Sequence, residues 1–211
     1  MTRRNRVLPT QEITALPQRG LFMGNRGCLH AADGSIRRPW RLRAWICCRT
    51  EFKGRRRAIM APGRYTELFF LDEAVALAAG HRPCAECRRA DYNRFRDAWA
   101  SAFGTPASAA GMDEALHRSR LDPSGRQRPH SEALPLPDGA FVDLDGIPHL
   151  VAQGRVHRFG TDGYGAPQPL PEAPVTVLTP AVTVALLRAG YVPRLHPSLA
   201  PPESRQRLTM G

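Results

Sequence analysis

Thr66-Glu67-Leu68-Phe69-Phe70-Leu71-Asp72-Glu73-Ala74-Val75-Ala76-Leu77-Ala78-Ala79-Gly80-His81-Arg82-Pro83-Cys84-Ala85-Glu86-Cys87 is the stretch from which the fold of this 211-residue chain is best read. Its apolar, aromatic start predicts a strand over residues 66–71. Asp72 has the side chain of a helix N-cap, residues 73–79 are good helix formers, and Gly80 is placed to stop the helix. A second helix is expected from about Cys84 to about Phe103, closed by Gly104. Tyr92, Phe95, Trp99 and Phe103 recur on it at helical spacing, the pattern of a face that packs into a core.

Upstream, residues 1–20 read as a basic, irregular arm and residues 40–60 as a hairpin. In that hairpin an apolar strand runs through Cys47 and Cys48, the chain turns at Lys53-Gly54, and residues 55–60 return. Downstream, residues 105–137 are rich in Ala, Ser, Pro, Gly and Arg and are expected to form a linker or mobile loop. A β-rich unit follows, with strands over 140–144, 147–152, 155–159 and 175–178, and turns at Asp145-Gly146 and Gln153-Gly154. Thr179 as N-cap and Pro180 at the first helical position then predict a helix ending near Gly190. The expected architecture is α+β: a basic domain over 1–104, a linker over 105–137, a β-rich domain over 138–198 and a tail over 199–211. Thr161 to Gly165 is read as a turn. His149 and His157, which can approach across the 147–159 hairpin, are a minor second site, and the other isolated histidines lack ligand spacing.

The charge is unevenly distributed. The net charge is +11, and residues 1–100 carry 20 basic and 9 acidic side chains against 10 and 10 in residues 101–211. Such a half-chain points to a polyanionic partner, nucleic acid first. Arg37, Arg38, Arg41, Arg43, Arg55 and Arg57 are the expected contacts; Trp40 and Trp45, interleaved among them, are read first as core residues, with stacking on bases as the alternative. No apolar run approaches the ~20 residues of a membrane span, and no signal-peptide core follows the basic N-terminus, so a cytoplasmic location without membrane contact is expected.

All five cysteines, Cys28, Cys47, Cys48, Cys84 and Cys87, precede residue 90. An odd count without an export signal argues against a disulfide framework and for metal binding. Cys84-Ala-Glu-Cys87 can turn both sulfurs toward one tetrahedral ion. Cys47 and Cys48 are neighbours on a predicted strand, so only one of them faces such an ion.

Residues 73–87, a short helix ending in Ala-Gly before His-Arg-Pro-Cys-x-x-Cys, resemble the zinc-binding domain of the Ada methyl-phosphotriester repair proteins. The similarity is concentrated in residues 67–89. Met23-Gly24-Asn25-Arg26-Gly27-Cys28-Leu29-His30 resembles the opening element of related domains, with His30 on the first ligand position. The second ligand of that element is absent, since Gly34 stands four residues beyond His30. The resemblance implies Zn2+ at Cys84 and Cys87. By elimination Cys48 and His30 complete the set, with Cys47 an almost equal substitute for Cys48.

Two chemical readings compete with a structural zinc site that binds nucleic acid. In the Ada proteins a zinc-bound thiolate accepts a methyl group from a DNA phosphotriester, a role that Cys48 beside Arg49 would take here. Pro83-Cys-x-x-Cys87 also fits the zinc nucleobase deaminases, which need an upstream His-x-Glu or Cys-x-Glu. Cys48-Arg-Thr-Glu51 has one residue too many for that motif. Glu67, Asp72 and Glu73 are read as strand and cap charges.

Overall fold

A computed structural model describes residues 2–54 and 58–199. It is a mixed α+β fold with two six-stranded sheets and several helices. The first sheet is built from β1 (Arg6–Val7), β2 (Ile13–Thr14), β3 (Phe22–Asn25), β4 (Ile46–Arg49), β5 (Leu68–Phe70) and, beyond helix α1 (Glu73–Ala78), β6 (Arg82–Pro83). Its strand order is β2-β1-β5-β3-β4-β6. The β1–β5 and β4–β6 pairs are parallel and the others antiparallel. Helices α2 (Arg89–Phe103) and α3 (Ala109–Arg120) follow. The second sheet comprises β7 (His130–Glu132), β8 (Phe141–Leu144), β9 (Ile147–Ala152), β10 (Arg155–Gly160), β11 (Gly163–Gln168) and β12 (Val175–Val177). It is ordered β11-β10-β9-β8-β12-β7, antiparallel throughout, and α4 (Ala181–Arg188) closes the fold.

The central stretch behaves as its residues require. Asp72 Oδ1 accepts the backbone N–H of Val75 at 2.9 Å, α1 runs from Glu73, and Gly80 takes φ 84°. A Cβ at Gly80 would meet Arg120 Cδ at 2.4 Å, so this glycine also allows a close approach. On α2, Tyr92, Phe95 and Trp99 are buried, while Phe103 stays exposed at the helix end beside Trp99.

The apolar cores do not follow the expected division of the chain. Phe141, Leu150, Tyr164 and Leu178 pack with the first sheet and α1, whereas Leu77 of α1 packs with α2, α3 and the second sheet. Residues 105–137, expected as a linker, contain α3 and β7. Ser108 caps α3 through Gly111 N–H, Met112 and Leu116 are buried, and Asp113 takes both Nε and Nη2 of Arg82 at 2.7 Å.

Other details depart from the sequence reading. β4 lies between β3, which pairs along its whole length, and β6, which pairs with Ile46 and Cys47. Of the return strand expected over 55–60, residues 55–57 lie outside the described residues, and 59–60 form a turn. α2 begins at Arg89 because residues 85–88 form a turn ahead of it. Thr179 does not cap α4; its hydroxyl accepts Phe141 N–H at 2.8 Å and the cap position falls on Pro180. The turn read at 161–165 narrows to Thr161-Asp162, and Gly163 opens β11. No helix among the described residues is long and apolar enough to cross a membrane.

Two buried carboxylates at the start of α1 anchor the C-terminal segment. Asp72 accepts Tyr164 O–H at 2.7 Å and His196 N–H at 3.0 Å. Glu73 accepts Tyr191 O–H and Arg194 N–H, and pairs with Arg88 Nη2 at 2.7 Å. Removing one partner of a buried ion pair costs about 3–5 kcal/mol, because the other charge is stranded. Glu73→Ala is therefore expected to lower stability to urea by about that amount. A loss below about 1 kcal/mol, the scale of an exposed pair, would show that this carboxylate does not hold the segment in place.

Candidate metal centre

Strand alternation decides which thiol goes where. On β4, Cys47 and Cys48 leave opposite faces of the sheet. Cys47 points into the core, with its Sγ 3.2 Å from Arg88 Nη1, and burial pushes its thiol pKa up. Cys48 points to the other face, together with Cys84 and Cys87. The three Sγ atoms lie within 4.8 Å of one another, and all three residues are buried.

The second pair reaches Cys48 through backbone pairing. β6 runs parallel to β4 with Cys47 opposite Pro83, and Cys84 N–H donates to Cys47 O at 2.9 Å. Pro83 lacks an N–H, which suits an edge strand. The chain then turns, so that Glu86 N–H points at Cys84 Sγ and Arg49 N–H at Cys87 Sγ, each at 3.4 Å. Hydrogen bonds from Cys48 and Cys87 hold Cys84 far below the ordinary thiol range, while the bonds to Cys84 and Cys87, with burial, drive Cys48 up. Three sulfurs on one spot, two of them receiving backbone N–H groups, form a donor set that can hold a metal ion.

His30 is not brought to this cluster. Its Nδ1 lies 2.6 Å from Thr66 Oγ1 and its Nε2 3.3 Å from Ala61 O, so both ring nitrogens are engaged elsewhere. Among the described residues, no His, Asp, Glu or further Cys joins the three sulfurs. His81 is buried between Trp45 and Phe70, and burial, then Arg26 and Arg120, push its pKa well down. Its Nε2 therefore accepts from Arg26 Nε, and its Nδ1–H faces Ala76 O. His149 and His157 bond separately to Ile147 O and Gly165 O.

The cluster faces a cavity of about 650 Å³. The sheet face carrying Cys48 forms its floor. Phe69 of β5, Met23 of β3 and Cys48 of β4 stand in one cross-strand row. Ile46, Phe52 and Ile59 add apolar wall, and Glu51, Glu67, Glu86 and Arg49 add charge. Glu67 is buried and its Oε2 accepts Met60 N–H at 2.7 Å. The sequence reading missed this cavity. Its trace was the alternation of Glu67 and Phe69 against Leu68 and Phe70, which leaves a partly apolar face away from the core.

Arg37, Arg38, Arg41 and Arg43 are exposed on the segment before β4, and none of them lines the cavity. Arg37 lies 3.8 Å from Asp33. Arg55 and Arg57 lie outside the described residues. Trp45 is buried between Arg26 and Arg120, whose guanidinium carbons stand 4.1 and 3.8 Å from its ring, so it is not presented to a base. Trp40 meets His117 edge-on.

The arrangement separates the adjacent cysteines by experiment. Cys48→Ser is expected to weaken metal binding by more than about 100-fold, beyond the 10–100-fold loss typical of outer partners. Cys47→Ala and His30→Ala should each retain the metal bound per chain, read by native mass spectrometry. Loss of the metal in Cys47→Ala with retention in Cys48→Ser would reverse the assignment. No family model matches this sequence, and no curated protein or solved structure matches it significantly.

Proposed function

We propose that Cys48, Cys84 and Cys87 bind one zinc ion whose fourth coordination position opens into the cavity, and that the protein brings this centre to nucleic acid. The observation that carries the reading is the meeting of three buried sulfurs at the wall of the cavity. Zinc–sulfur bonds of about 2.3 Å in a tetrahedron place sulfurs about 3.8 Å apart, which this spacing accommodates. Structural zinc sites are closed by four protein ligands, whereas three ligands and an open place are the pattern of a reacting centre. The resemblance of residues 67–89 to the Ada zinc domains agrees with zinc at Cys84 and Cys87. The excess charge of the first hundred residues and the exposed Arg37, Arg38, Arg41 and Arg43 supply phosphate contacts.

Two measurements test this reading together. Native mass spectrometry is expected to find one zinc per chain, lost on acid denaturation. Duplex binding should weaken with salt, and replacing the four exposed arginines by alanine should flatten the log–log slope by roughly 3–4 units, at about 0.9 per phosphate. An unchanged slope would remove these arginines from the contact, and a folded protein without zinc would remove the centre.

One observation favours a second reading, in which Cys48 is an alkyl acceptor. Cys84 and Cys87 each receive a backbone N–H, whereas among the described residues Cys48 receives none. Such bonds draw charge from sulfur, so Cys48 is left the most nucleophilic of the three. Its thiolate would form an S–CH3 bond as the O–CH3 bond of a phosphotriester breaks, leaving a phosphodiester anion. A gain of one methyl group on Cys48 after incubation with methyl-phosphotriester DNA is the expected sign, and an unaltered mass would rule the step out.

A further inference from the structure

A second depression adjoins the cavity. It encloses about 470 Å³ and is lined by Arg3, Arg6 and Arg19 with Thr2 and Asn5, and it shares Thr50, Glu51, Ile59 and Phe69 with the wall of the metal cavity. The two form one continuous surface. Arg6 of β1 pairs with Phe69 of β5, and its guanidinium stands 4.9 Å from that ring. The row Arg6–Phe69–Met23–Cys48 thus crosses four strands, about 14 Å at about 4.8 Å per strand.

Among the described residues, no carboxylate forms an ion pair with Arg3, Arg6 or Arg19. Glu51 is the one acidic residue lining this depression. The bonds of Arg3 and Arg6 to described residues go to neutral acceptors. Arg3 Nη1 donates to Ile59 O, Arg6 Nε to Gln18 O at 2.7 Å and Arg6 Nη1 to Asn5 Oδ1 at 2.5 Å. These contacts hold two guanidinium groups at the depression. Arginine forks match phosphate oxygens, and three of them favour a dianion over a monoanion.

We propose that Arg3, Arg6 and Arg19 form a phosphomonoester subsite of the metal cavity, so that the molecule handled at the three-cysteine centre carries a terminal phosphate and an apolar or planar body lying over Phe69 and Met23. This deepens the reading of the cavity as a reacting site and rests on it. A terminal phosphate offers three oxygens to the depression, whereas an internal diester offers two and needs an exit for its second ester arm. The cavity and the depression each have the volume of a small-molecule site. The same chemistry is present in a free nucleotide and at the 5′ end of a strand.

The test uses zinc-loaded full-length protein, adenosine 5′-monophosphate as probe and calorimetry as readout. Zinc per chain is measured on the same samples, so a missing metal and a missing subsite are told apart. Binding of the nucleotide is expected to weaken at least about tenfold in Arg3→Ala/Arg19→Ala, with zinc content unchanged. Both residues are exposed, so folding should be unaffected. The charge-matched Arg96→Ala/Arg155→Ala should bind as the parent does. A short oligonucleotide with a 5′-phosphate, compared with its 5′-hydroxyl counterpart, distinguishes the sources. A preference for the phosphorylated end assigns the subsite to strand termini, and tight nucleotide binding without that preference assigns it to free nucleotides. Adenosine binding as tightly as its monophosphate, equal losses in both double variants, or no binding of either phosphate form to zinc-loaded protein would overturn the subsite.

Discussion

Arg88 is the side chain through which the three-cysteine cluster and the rest of the fold depend on each other. It directly follows Cys87, is almost wholly buried, and stacks over Phe22 at 4.3 Å. Its guanidinium reaches Glu73 and Asp91, and its Nη1 meets the Sγ of Cys47. One cation therefore ties the turn carrying Cys84 and Cys87 to the first residue of α1, the start of α2 and the core face of β4. Glu73 extends the link to Tyr191 and Arg194. A buried charge with this many partners tolerates little displacement, so the CxxC turn is held where Cys48 can complete the cluster.

Much of this was legible because it is local. Asp72, Gly80 and the Tyr92–Phe95–Trp99 stripe specify their elements through caps and periodicity. The opposite facing of Cys47 and Cys48 follows from strand geometry alone. What was not legible depends on distant partners. α3 has a glycine in its first turn and few large apolar residues. It is held by the burial of Met112 and Leu116 and by the bidentate Arg82–Asp113 pair, which spans 31 positions. Residues 55–60 carry strand-like spacing, yet the described part, 58–60, forms no strand. His30 has a metal-ligand side chain, and only the fold reveals that Thr66 and Ala61 take its two nitrogens.

Three cysteines that can hold a metal ion, with no fourth ligand side chain beside them among the described residues, differ from the four-ligand set of a closed structural site. A tetrahedral ion held by three thiolates carries net negative charge, which favours sulfur nucleophilicity over strong polarisation of a bound oxygen. The surrounding Met23, Ile46 and Phe52 keep the local dielectric low and strengthen whatever charge interactions operate there. Backbone N–H groups on Cys84 and Cys87 moderate two of the sulfurs. Arg3, Arg6 and Arg19 line the depression beside the cavity.

Cobalt(II) substitution followed by absorption spectroscopy separates a three-sulfur ion with an open fourth position from a closed site. With an open fourth position, thiolate-to-cobalt charge-transfer intensity is expected to be that of three sulfurs, and the tetrahedral ligand-field bands should shift when a small exogenous thiol is added. Bands that stay fixed under saturating thiol, or intensity appropriate to four sulfurs, would contradict the open position.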